Sequence, residues 1–149
     1  MEWFVRAFLR AALAWLGLGV TLGLAIVVHP AWMVYRPAHL HMNLLGFVTM
    51  MIFGVAYHVV PRFVGRPLHS GGLAGAQWWV SNAGLALLVL GFACRPHTAA
   101  GAVYLLVVGG LLSALGAYSF IYNIWRTLGP ATVPSPAPSP VRRRPLPTA

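Results

Sequence analysis

Apolar residues fill four long stretches of the chain, each closed by proline, glycine or arginine. The first runs from Ala11 to Val28, after Arg6 and Arg10. It is longer than the apolar region of a usual secretory leader and no small-x-small cleavage signal follows, so it reads as a retained first span. Pro30 and Pro37 bracket a connection, Pro30 to Ala38, in which Trp32 and Tyr35 suit an interfacial depth. The second span then covers His39 to Val60 and stops at Pro61, since the residue before a proline is biased away from helix. Arg62-Phe-Val-Gly-Arg66-Pro67-Leu-His69-Ser-Gly-Gly72 is a polar turn. The third span covers Leu73 to Cys94. Arg95-Pro96-His97-Thr98 forms a tight connection with Thr98 as N-cap, and the fourth span covers Ala99 to Trp125.

A bilayer core about 30 Å thick takes about 20 apolar residues per helix, so four spans use about 80 residues and leave only short loops and one tail. The prediction is all-α: an integral membrane four-helix bundle forming one domain, residues 1–128. From Gly129 the chain turns rich in proline and ends near Arg142-Arg143-Arg144. Residues 129–149 hold too few apolar groups to fold alone and are expected to form a disordered cytoplasmic tail.

Composition fits a lipid-solvated chain, because only 7% of residues are charged against roughly a quarter in soluble domains. The net charge of +9 does not point to nucleic acid, since all ten basic residues are arginines placed at helix ends and in the tail. They read as topology signals and contacts to anionic lipid in the bilayer. Arg6, Arg10, Arg62, Arg66, Arg126 and the terminal triplet share one side, whereas Arg36 and Arg95 lie on the other. Both termini are therefore expected in the cytoplasm, with the chain in a bacterial-type inner membrane. Gly19 and Gly23 form a GxxxG pair, and Gly109, Ser113 and Ala117 a small-residue stripe. Such stripes serve either the bundle or a homo-oligomer, which is expected here. Glu2 is the only carboxylate side chain, which argues against hydrolytic catalysis and against a proton or ion pathway. The lone Cys94 offers no internal disulfide.

The chemistry lies in six histidines, since ionisable groups at membrane depth usually serve a site. Two hairpin reversals bring His29, His39, His41 and His97 to the non-cytoplasmic face. His58 follows His41 by a helical distance of about 25 Å and belongs with His69 at the other face. His39 and His41 leave an ideal helix about 200° apart. His41, two residues deeper, is the better ligand inside the bundle, and His39 is left to face water, a headgroup or a neighbouring chain. A haem with two imidazole ligands would take its second from His97 or His29. Copper or zinc held by His39, His41 and His97, with Met33, Met42, Met50 and Met51 as soft donors for copper, is the alternative. A third reading is a cofactor-free accessory or assembly subunit whose histidines bond to backbone and water.

The string His39-Leu-His41-Met-Asn43-Leu-Leu-Gly46, continuing to Gly54, Tyr57, His58 and Pro61, resembles the second helix of the haem-copper oxidase catalytic subunit, above all in the nitric oxide reductase and C-type oxidase branch. The resemblance covers about 24 residues and implies that His41 is an axial ligand of a low-spin haem b near the outer face. The family's subunit has at least twelve helices, and this chain carries no His-x-x-x-Tyr or His-His pair for a binuclear centre. Oxygen or nitric oxide reduction by the chain alone is not expected. What the resemblance implies is a small haem-binding relative for electron transfer or gas sensing, with a respiratory-chain partner. Arg36 and Arg95 would then face the haem propionates, and Phe47, Tyr57, Trp78 and Trp79 are candidate porphyrin walls.

Overall fold

The computed structural model describes residues 1–129, the side chain of Ala99 excepted, and its regular elements are all helical. Helix α1 covers Trp3–Val28 and a 3-10 turn covers Pro30–Tyr35. The second span has three pieces: α2 (Arg36–His41), a π-helical segment (Met42–Thr49) and α3 (Met50–Phe63). Helices α4 (Gly71–Cys94) and α5 (Ala99–Leu128) complete the fold. Trp3–Val28, Pro30–Phe63, Gly71–Cys94 and Ala100–Leu128 are each long and apolar enough to cross a membrane. The tail expected over 129–149 lies, from Pro130 onward, outside the described residues.

Several boundaries differ from expectation for local reasons. Helix α1 starts at Trp3 rather than Ala11, with Arg6 and Arg10 exposed on it; long arginine side chains reach the interface without ending the helix. The connection expected over Pro30–Ala38 is shorter, because Pro37 sits in the first turn of α2, where a missing N–H costs nothing. The second span passes Pro61 and ends at Phe63. Gly65 closes it at φ +64°: its N–H bonds the Arg62 carbonyl at 3.3 Å, and the Arg66 N–H bonds the Pro61 carbonyl at 3.0 Å. Helix α4 starts at Gly71 rather than Leu73 because the Ser70 hydroxyl accepts the Leu73 N–H at 3.1 Å. Thr98 makes no side-chain cap, and α5 continues beyond Trp125 to Leu128.

Packing follows from where side chains are small. At Gly84 an added Cβ would stand 2.7 Å from the Ser113 backbone nitrogen, and at Gly109 2.7 Å from the Leu88 nitrogen. The backbones of α4 and α5 thus touch, which only glycine permits. Helix α1 instead packs on the second span through Phe8, Phe53 and Tyr57, whose rings meet at 5.8–6.0 Å. Helix α5 lies chiefly along α4, with a smaller contact to α3. Both small-residue stripes are therefore used within the chain, and neither is left over to argue for an oligomer.

Polar groups pin the end of the bundle that carries the arginines. Asn123 is fully buried; its Oδ1 accepts the Ser70 N–H at 3.0 Å and its Nδ2 donates to the Ser70 carbonyl at 2.8 Å. Thr127 accepts the His69 N–H at 3.1 Å and donates to the Asn123 carbonyl at 2.7 Å. The Tyr57 hydroxyl donates to Gln77 Oε1 in the same layer. These bonds satisfy backbone groups that lipid would leave unpaired.

Candidate functional site

His39 and His41 leave α2 toward different helices. His39 Nδ1 lies 2.8 Å from the Gly19 carbonyl. A carbonyl only accepts, so this nitrogen carries the proton. The ring fills a notch over Gly23, where an added Cβ would come within 2.6 Å of His39 Cε1. Asn43 lies against Gly19 and donates to the His39 carbonyl at 2.9 Å. The GxxxG pair of α1 therefore exists to admit His39 and Asn43. This corrects the expectation that His39 faces water, a headgroup or another chain.

His41 is half-buried, its Nδ1 donating to the Pro37 carbonyl at 2.8 Å. That bond fixes the tautomer and leaves Nε2 with its lone pair free, and no described residue bonds it. The ring packs on Phe92 of α4 with centroids 4.6 Å apart and planes at 37°. The backbone changes from α to π just after His41, and such segments are frequent at functional sites.

The remaining histidines turn elsewhere. His97 is exposed and its Nε2 lies 3.0 Å from the Tyr35 hydroxyl. His29 is exposed and stacks on Trp32 at 5.5 Å. At the opposite end Arg62 Nη1 donates to His58 Nδ1 at 2.8 Å, which places the His58 proton on Nε2 and leaves neither nitrogen free for a metal. Among the described residues no three His, Cys, Asp or Glu side chains converge. The structure thus does not gather His39, His41 and His97 into the metal site considered from the sequence.

Two hollows adjoin these groups. The larger, about 610 Å³, is lined by Phe4, Tyr57, His58, Arg62 and Arg66 at the arginine-rich end. The smaller, about 50 Å³, lies between the second span and α5 with α4 as its floor, and is lined by Leu45, Thr49, Leu85 and Ser113 among others. The Ser81 and Ser113 hydroxyls in it are buried and unpartnered. Neither His41 nor Phe92 lines this hollow: His41 is one turn before Leu45, and Phe92 two turns after Leu85.

The aromatic residues named as porphyrin walls lie elsewhere. Tyr57 is buried beside Gln77, Phe47 packs on the core, and Trp78 meets Trp79 edge-on at 4.5 Å, with Trp79 exposed. The residues missed by sequence reasoning are Phe92, Asn43 and Pro37. Phe92 lies two residues inside the end of α4 and His41 five inside the start of α2, so depth along the helices alone does not pair them.

The family described as Cytochrome C and Quinol oxidase polypeptide I matches residues 4–144 of the chain. The chain belongs to this haem-copper oxidase subunit I family. One relative, the cbb3-type cytochrome c oxidase subunit CcoN1 of Stutzerimonas stutzeri, is 27% identical over 115 residues, covering 60% of this chain and 24% of that subunit. The chain spans about a quarter of that relative's length (24%). With its four spans, membership makes the chain an integral inner-membrane protein, and haem is the class of cofactor that the family implies.

The residues at His41 fit one face of such a group. A neutral imidazole whose Nδ1–H is held by a backbone carbonyl is the usual form of a metal-ligating histidine. Phe92 offers an apolar wall, and the exposed Arg36 and Arg95 stand at the outer ends of α2 and α4, where carboxylates would emerge. The larger hollow fits less well despite its volume, because its one imidazole is committed to Arg62.

Proposed function

We propose that this member of the oxidase subunit I family is a haem b-binding membrane protein in which His41 is an axial ligand, and that it carries single electrons in the inner membrane. The observation that carries this reading is the state of the His41 ring: Nδ1 is anchored on the Pro37 carbonyl at 2.8 Å, Nε2 is left without a partner among the described residues, and the ring packs on Phe92. His39 cannot substitute, because its ring is packed into α1 over Gly23. When bound, the haem supplies a one-electron iron couple. The protein's part is to fix the imidazole, exclude water with Phe92 and neighbouring aliphatic residues, and hold the propionates with Arg36 and Arg95. The arginine-rich side, with Arg62 and Arg66, faces the cytoplasm, which puts His41 near the opposite surface and its redox partner among respiratory-chain components on that side.

A copper or zinc role has less support, since the three histidines it needs have separate partners. The test is the absorption spectrum and metal content of protein purified in mild detergent, for the parent and His41→Ala. A Soret band in the parent that is lost in His41→Ala supports the haem reading. A Soret band unchanged in the variant removes His41 from the site. Stoichiometric copper or zinc without a Soret band replaces the reading with a bare-metal site, and neither signal leaves a cofactor-free subunit.

A further inference from the structure

We propose that the larger hollow is a binding site for the headgroup phosphate of an anionic phospholipid, held by Arg62 and Arg66. It lies at the opposite end of the bundle from His41 and stands whether or not haem is bound there. The hollow measures about 610 Å³ and is walled by the start of α1, the end of α3 and the turn that leads into α4. Pockets that enclose small organic ligands measure about 300–1,000 Å³. Its base is buried and mostly apolar, with Phe4, Val5 and Tyr57. Its rim is charged: Arg62 is exposed and Arg66 half-buried.

The turn after α3 explains why both guanidinium groups border one hollow. Gly65 at φ +64° reverses the chain, and the Arg66 N–H bonds the Pro61 carbonyl at 3.0 Å, which folds Arg66 back toward the last turn of α3. Arg62 is steadied by His58, because Nη1 donates to the His58 ring and to the His58 carbonyl. Its Nε and Nη2 remain available, and the Arg66 side chain bonds no described residue. A half-buried cation without a counter-ion is costly, so the site calls for an anion. Glu2 is the one carboxylate in the lining, and against two arginines it leaves an excess of one positive charge.

The chemistry selects a phosphate, whose oxygens match the guanidinium fork. Depth and lining select a lipid as its carrier. The arginine-rich end faces the cytoplasmic leaflet by the positive-inside rule, and basic pockets at that depth suit anionic headgroups. Trp3 and Phe63, next in sequence to lining residues, are 51% and 88% exposed. A free ion would leave the apolar base and these rings uncovered, whereas the glycerol and first acyl carbons of a phospholipid cover them.

The test is competition on the full chain in mild detergent. The protein is exchanged into micelles with equal phosphatidylglycerol and phosphatidylcholine, and retained lipid is counted by native mass spectrometry with and without excess inorganic phosphate. One phosphatidylglycerol per chain is expected, unmoved by the phosphate. Arg62→Gln/Arg66→Gln should weaken its retention about tenfold or more. Arg6→Gln/Arg10→Gln removes the same charge from exposed positions outside the hollow and should change retention less than about twofold. Glu2→Gln should tighten it, since the rim loses a negative charge.

Equal loss in the two double variants overturns the site and leaves only a diffuse attraction between basic residues and lipid. Displacement by inorganic phosphate overturns the lipid as occupant. A parent that keeps neither lipid, or both alike, overturns the proposal with no variant needed, and an acidic segment of a partner then becomes the occupant that fits the arginines.

Discussion

Asn123 is the residue whose loss should loosen the fold most for its size. Its amide makes two bonds to one backbone unit, accepting from the Ser70 N–H at 3.0 Å and donating to the Ser70 carbonyl at 2.8 Å. Asn123→Ala leaves the Ser70 N–H unpaired at the point where α4 begins, and leaves the Ser70 carbonyl with only the Ala74 N–H at 3.3 Å. An unpaired buried backbone group costs about 1–3 kcal/mol. Ser70 is only half-buried, which puts each loss near the low end, and the Thr127 bond to the adjacent His69 still tethers the loop at 3.1 Å. The expected destabilisation is about 2 kcal/mol, or about 30-fold in the unfolding equilibrium. The assay is unfolding by sodium dodecyl sulfate in mixed micelles, followed by far-ultraviolet circular dichroism, with trypsin cleavage after Arg62 as a local readout. Thr21→Ala is the control: its hydroxyl bonds the Gly17 carbonyl at 2.8 Å on an exposed face, and its loss should stay within about 0.5 kcal/mol. If Asn123→Ala unfolds where the control does and its loop is cut no faster, the polar pin is not what holds α4 to α5.

Gly84→Val drives a branched side chain into the Ser113 backbone, 2.7 Å from the ideal Cβ, and should cost about 1–3 kcal/mol or separate α4 from α5. Gly17→Ala, which meets nothing within 4 Å, should be neutral or stabilising by up to about 1 kcal/mol; equal melting of the two variants in detergent would remove the close approach of α4 and α5. His39→Ala should lower stability by about 1–3 kcal/mol through the lost bond to Gly19 and leave the Soret band of the parent in place. A Soret band that disappears with His39 while His41→Ala retains it would reverse the two roles.

The number of spans, their order and the side on which each histidine falls were legible in the sequence, because lipid demands long apolar runs and breaks at Pro30, Arg66-Pro67 and Arg95-Pro96 show plainly. Helix ends were less legible. Pro61 suggests a stop, but its missing N–H removes a single bond near the end of α3, and the true closure comes from Gly65 at positive φ. Thr98 is a cap by residue type but makes no capping bond, whereas Ser70 caps α4, since capping depends on the rotamer and not on residue type alone. At the site, the helical angle between His39 and His41 separates the two rings, which bond to the Gly19 and Pro37 carbonyls respectively. The destination of His39 could not be read, because Gly19 and Gly23 looked like a helix-association motif and serve as the notch for its ring. Phe92 was missed for a related reason. Aromatic residues are common in all four spans, and only the α4 register places this one against His41.

The most direct test of His41 as haem ligand is chemical rescue. His41→Gly is purified in mild detergent, and its visible spectrum is recorded before and after adding imidazole. The expected result is loss of the parent's Soret band in the variant and recovery of it with imidazole, because the small ligand occupies the place of the missing ring next to Phe92. A parent-like Soret band in His41→Gly without imidazole would contradict the assignment.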